Sequence, residues 1–171
     1  MKRVYVMSCL LLFASAAFAY QNDHNDDSGV SWKSIVGVIT APNVSNLVGN
    51  IDSGTFPWSA RSGRARVNLA TGGASFDVDG LVINGTTFSG TPGPVTGVTG
   101  TLVCNPGEQT QAALDTAAVR LSKQGDAHFS GAIQSIPAPC ANPLFLIRIA
   151  TPEGAAGRWI ATGAERVIRL E

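Results

Sequence analysis

The sequence predicts an all-β protein: an antiparallel β-sandwich of about nine short strands, with a small closed barrel as the alternative arrangement. Three observations carry this expectation. Short apolar runs alternate with Thr- and Gly-rich stretches, and no segment sustains the 3.6-residue apolar period of an amphipathic helix. Two segments alternate cleanly, since Ala65, Val67 and Leu69 oppose Arg64, Arg66 and Asn68, while Phe76 and Val78 oppose Ser75, Asp77 and Asp79. Successive strand side chains point to opposite faces, so each pattern puts one side in a core and the other in water. Finally, Gly and Pro punctuate the chain at short intervals, as turns between strands require.

At the N-terminus, Lys2 and Arg3 precede the apolar run 4–13, and Ala17, Phe18 and Ala19 supply a small-x-small cleavage site. Residues 1–19 therefore read as a cleavable secretory signal peptide, with Tyr20 opening the mature chain. That apolar run is shorter than the roughly 20 residues a spanning helix needs, and the protein is not expected to span a membrane. Cys9 sits early in the run rather than after it, which argues against a lipid anchor. Loss of Lys2 and Arg3 leaves ten basic and twelve acidic residues, a net charge of −2. Sequence-independent nucleic-acid binding depends on cationic surface, so no nucleic-acid partner is expected.

Residues 20–29 are polar, with Asp23, Asp26 and Asp27 among Asn22, His24 and Asn25, and read as a flexible lead-in. Asp23, Asn25 and Asp27 alternate as in a calcium loop. Gly29 comes one place late, however, and Ser34 stands where a bidentate Glu is needed, so no metal site is expected. Residues 30–171 are then a single β domain.

Beyond the two alternating segments, strands are expected at 34–40, 80–83, 95–104, 116–121, 127–133, 144–150, 158–162 and 166–170. Asn84-Gly85 signals a hairpin turn leading to the short run around Phe88, and the Gly90 to Pro94 run is a break. The segment 144–150 is apolar on both faces except at Arg148, the pattern of a central strand covered on both sides. A helix is plausible only at 108–115, where Gln, Ala and Leu have good propensity, although Asn105, Pro106 and Gly107 equally suit an exposed turn.

With Cys9 removed, Cys104 and Cys140 remain, and an oxidising compartment makes a disulfide between them the expectation. On the chain-entropy model a loop of about 37 residues gains about 4 kcal/mol before strain is subtracted. Cys-x-x-Cys spacing is absent, which turns the reading away from redox or metal chemistry.

Catalytic constellations are sparse. Asp126, His128 and Ser130 share a strand face, but adjacency along a strand does not create the geometry of nucleophile, base and orienter. Asp77 and Asp79 would stand roughly 7 Å apart, between the separations of retaining and inverting glycosidases. They read more simply as the solvent side of a strand, paired across it with Arg64 or Arg66. No Gly-x-Ser-x-Gly elbow and no phosphate-binding glycine loop is present. The candidate binding residues are Trp58 and Trp159, whose rings suit sugars and apolar ligands, and Arg148, which must snorkel, pair with a carboxylate or line a cavity. Core packing would account for either tryptophan equally well.

The stretches Gly80-Leu-Val-Ile-Asn84, Gly90-Thr-Pro-Gly-Pro-Val95 and Gly100-Thr-Leu-Val-Cys104 are followed by Pro139-Cys-Ala-Asn-Pro-Leu-Phe-Leu-Ile-Arg148 and Gly157-Arg-Trp-Ile-Ala-Thr-Gly163. In these the chain resembles a group of uncharacterised secreted proteins associated with bacteria. The resemblance implies export to a periplasmic or extracellular location and an all-β fold, and carries over no catalytic residue. The functional expectation is a secreted domain acting by binding or structural association at or beyond the cell envelope, without a cofactor. The candidate partners are a carbohydrate, an apolar ligand or an envelope protein. The rivals are a barrel-type extracellular enzyme using carboxylates and Arg, and a carrier of an apolar small molecule.

Overall fold

The computed structural model describes residues 29–41 and 43–169, which hold thirteen strands and no helix. The expected signal peptide, the lead-in through Ser28 with its calcium-loop-like acids, and Leu170 lie outside the described residues. In chain order the strands are β1 (Gly29–Gly37), β2 (Leu47–Val48), β3 (Ile51–Asp52), β4 (Trp58–Ser59), β5 (Ser62–Asn68), β6 (Gly73–Asp79) and β7 (Val82–Ile83). They continue as β8 (Gly97–Cys104), β9 (Ala112–Asp115), β10 (Val119–Arg120), β11 (Ala127–Ala132), β12 (Leu144–Ala150) and β13 (Ala156–Arg169).

Nine of these form one antiparallel sheet in the order β10-β8-β12-β13-β1-β5-β6-β11, with β9 also paired to β8. The strands β2–β3 and β4–β7 make two short ribbons outside it. The all-β antiparallel class read from the sequence is thus the observed one. Its layers come from a single sheet curling over on itself. Phe76 of β6 meets Phe145 of β12, four strands away in the sheet, with ring centroids 5.9 Å apart. Trp32 lies 5.4 Å from Phe145, and Phe129 lies 5.7 Å from Phe76. These four rings fill the space inside the curl.

Two glycines make that filling possible. A Cβ on Gly100 would stand 2.7 Å from the Phe145 ring and 2.9 Å from that of Phe76. A Cβ on Gly163 would stand 2.5 Å from the Trp32 indole. The inner face gives up side-chain volume at these points so that larger rings can interdigitate at native packing density.

The disulfide joins Cys104 at the end of β8 to Cys140 in the segment that leads from β11 to β12, with Cα atoms 4.8 Å apart. Asn105, nearly buried, fastens the same junction. Its N–H donates to the Ala141 carbonyl (2.9 Å) and its Oδ1 accepts from the Ala141 N–H (2.8 Å). A disulfide of this kind is compatible with an oxidising periplasmic or extracellular compartment. No helix of the described residues is long and apolar enough to cross a membrane.

Four local expectations are corrected. Residues 108–115 form no helix: after turns at 105–111, Ala112–Asp115 pair as β9 with Cys104–Thr101, because the edge of β8 offers backbone partners that helical propensity cannot outweigh. The expected strand 116–121 is shorter, since Thr116 interrupts the run along β8, its Oγ1 accepting from Gly100 N–H (3.0 Å). The strands expected at 158–162 and 166–170 are parts of one strand, β13, which continues through Glu165 at φ 52. Asn84-Gly85 belongs to a wider loop, in which Gly90 N–H returns to the Ile83 carbonyl.

The first strand also starts earlier than the expected 34–40. Its buried positions change phase, from Val30 and Trp32 to Ile35, and this change conceals the alternation in the sequence. It has a structural consequence. β1 pairs with β5 only from Gly29 to Trp32, whereas its remaining length follows β13. Beyond Trp32 the ladder between β1 and β5 is interrupted while the strands stay side by side, with Ile35 against Gly63, where an added Cβ would lie 2.8 Å from its own.

Candidate functional site

The aromatic candidates named from the sequence are packed into the protein. Trp58 is 4% exposed and Trp159 is 6% exposed, so neither ring presents a face to solvent. Trp58 pairs with Ile83 between β4 and β7. Trp159 donates its indole N–H to the Asn46 carbonyl (3.2 Å), and its own carbonyl accepts from Gly54 N–H (2.7 Å). A ligand would have to displace protein to reach either ring. Arg148 spends its guanidinium inside the protein: Nε donates to the Gly157 carbonyl (2.6 Å), Nη2 to the Ala156 carbonyl (2.8 Å), and Nη1 to Asp115 Oδ1 (3.4 Å), which also accepts from Thr101 Oγ1 (2.6 Å). Its charge is neutralised where it enters the apolar strand, as a half-buried guanidinium requires.

Two further surfaces stand out in the structure, the first not named from the sequence and the second holding the acids and the histidine already weighed there. The first is the excursion at 38–57 between β1 and β4. Exposed large apolar side chains gather in it: Ile39 is 87% exposed and Leu47 66%, joined by Val44 and Phe56. Hydrogen bonds link the described residues 38–41 and 43–57 to one another. Asn46 Nδ2 donates to the Ile39 carbonyl (2.9 Å), Asn43 N–H to the Thr55 carbonyl (3.2 Å), and Ser53 N–H to the Asn46 carbonyl (2.8 Å). At its tip, Gln111 Nε2 donates to Asn50 Oδ1 (2.5 Å), tying the excursion to the turn enclosed by the disulfide. The sequence signal for it is composition, since residues 36–59 carry a single charge, Asp52.

The second surface is the outer face of β1, β5, β6 and β11. The alternation of β5 and β6 sends Arg64, Ser75, Asp77 and Asp79 outward, and antiparallel register sets Arg64 opposite Asp77 and Asp77 opposite His128. Arg64 Nε donates to Asp77 Oδ2 (3.0 Å), and His128 Nδ1 lies 2.5 Å from Asp77 Oδ1. The His128 hydrogen bond above all holds the Asp77 carboxyl below its ordinary 3.8; partial burial opposes this, and Arg64 adds to it. Asp79 accepts from Ser62 Oγ (2.7 Å).

Chemically, Asp77 and His128 make the acid–imidazole pair that a triad needs, but among the described residues no hydroxyl hydrogen-bonds to the imidazole. The acid that meets His128 is thus Asp77 from the neighbouring strand. Asp126 instead accepts from Gly80 N–H (2.9 Å) and the Ser122 hydroxyl (3.3 Å) in the 122–126 turn. Asp77 and Asp79, read as an acid pair, are each engaged with a different neighbour on an open face. Among the described residues no group of His, Cys, Asp and Glu is placed to hold a metal ion. Comparison with family models, curated proteins and solved structures gave no match.

Proposed function

We propose that the protein is an exported binding domain that associates with an envelope protein through the 38–57 excursion. The observation that carries this reading is the gathering of Ile39, Val44, Leu47 and Phe56 as exposed side chains in one hydrogen-bonded unit. Folded monomers rarely leave such residues together in water unless a partner covers them, and an ordered excursion loses little entropy on binding. The carrier reading draws little support from an interior filled by Trp32, Phe76, Phe129 and Phe145. The signal at 1–19 and the disulfide favour a secreted or periplasmic address.

The test is site-specific photo-crosslinking in intact cells from position 39 or 47, with position 123 as an exposed control. One defined envelope protein should be trapped from 39 and 47 and not from 123. Val44→Asp together with Phe56→Asp should abolish the adducts from 39 and 47 while leaving the unfolding transition unchanged. Equal trapping from all three positions, or none, refutes the reading.

A further inference from the structure

We propose that the outer-face hollow beside the end of the β1–β5 ladder binds an acidic saccharide, a sugar carrying a carboxylate or a phosphate ester, whose anionic group is met by Lys33 and Arg64. Ladder pairing between β1 and β5 stops at Trp32 and Ala65, and Ile35 packs beside Gly63 beyond it. Outside, two adjoining hollows of about 380 and 420 Å³ share Lys33, Arg64 and Asp77 in their walls. Either is of a size that suits a small ligand.

Charge selects the ligand's sign. Asp77 already accepts from Arg64 and meets His128, so its two oxygens are engaged. Arg64 spends only Nε on that contact, and its side chain is 76% exposed, leaving the terminal amino groups turned to solvent. Lys33 has no carboxylate within ion-pair distance among the described residues, although Glu165 stands opposite it in the β1–β13 register. In the wall of the larger hollow Lys33 and Arg64 stand against a single carboxylate, Asp77, so the site attracts an anion, and Arg can meet a carboxylate or phosphate with paired N–H groups.

Hydroxyls select the rest of it. Ser31 and Ser75 line the larger hollow, and Asp79 lines the smaller one. Hydroxyl and carboxylate oxygens spaced around a cationic centre match a polyol, which both donates and accepts. This site is separate from the 38–57 excursion, so it stands or falls independently of the association proposed there.

The mature protein, isotopically labelled, would be titrated with trigalacturonic acid, glucose 6-phosphate, maltotriose and inorganic phosphate and followed by amide chemical shifts. The uronate trimer or the sugar phosphate should shift the amides of Ser31, Lys33, Arg64 and Ser75 and bind at least about tenfold more tightly than maltotriose. Which of the two binds tells carboxylate from phosphate ester as the source of the charge. Lys33→Glu should weaken that binding about tenfold or more, and added salt should weaken it in the wild type. Four results would overturn the proposal: no binding of either sugar acid at millimolar concentration, maltotriose binding equally well, inorganic phosphate alone matching the sugars, or shifts centred elsewhere. An unaffected Lys33→Glu variant with a native amide spectrum would do so too.

Discussion

The β8–β12 side of the sheet and the β5–β6–β11 side deal with their outer faces in opposite ways. Along β8, Thr99, Thr101 and Val103 are as fully buried as the inward Val98 and Leu102. In β12, Phe145, Leu146 and Ile147 are buried in succession. Across the curl, β5 and β6 keep strict alternation, and their outward residues are charged or hydroxylic and open to water. Both sides send rings into the core, but the β5–β6–β11 side leaves outer polar groups open to water. A single curled sheet thus differs between its halves in how much outer face it leaves to solvent.

The largest effect that would expose this division is Phe145→Ala, which removes the ring touching both Trp32 and Phe76 and should destabilise by about 3–5 kcal/mol in denaturant unfolding. Replacing Cys104 and Cys140 together by Ala should lose up to about 4 kcal/mol, read as a lower midpoint in guanidinium. Arg148→Ala should cost about 1–3 kcal/mol, because the carbonyls of Ala156 and Gly157 lose their donor and Asp115 its cation.

The smallest effect belongs on the open side. Asp77→Asn should cost only about 0.2–1 kcal/mol at neutral pH, as exposed ion pairs do. The sign of its pH dependence is fixed. A carboxyl held below 3.8 contributes fully above that value, and the contribution fades as pH falls through the lower folded-state pKa. The wild type should therefore approach the Asp77→Asn variant in stability on acidification below pH 3.8, and a constant gap down to the lowest pH would refute the assignment.

Legibility from sequence follows the same division. Strands β5 and β6 are readable because one face is wet and period-two alternation survives. Strand β12 is readable because a seven-residue apolar run broken only by Arg148 is too short for a buried helix and suits a strand covered on both faces. The disulfide follows from arithmetic once Cys9 is assigned to the signal. The start of β1 is hidden because its buried positions change phase, and β9 because Ala112 to Leu114 have helical propensity and only the edge of β8 decides between the two states. At the candidate sites, cross-strand register brings Asp77 to His128 over 51 residues of chain, a pairing that spacing along the chain does not encode. The apolar excursion leaves only a faint compositional trace.

The curl has one more consequence, for self-assembly. β10 and β11 end the sheet order, yet they are consecutive in the chain and approach each other across the 121–126 turn. That turn is held by Ser122 N–H to the Asp126 carbonyl (2.9 Å) and Asp126 N–H to Ser122 Oγ (2.9 Å). Terminal strands that face each other at close range give an incoming chain little template for growing a fibril. In a β-rich protein built this way the two ends of the sheet guard each other, and strand addition there is disfavoured.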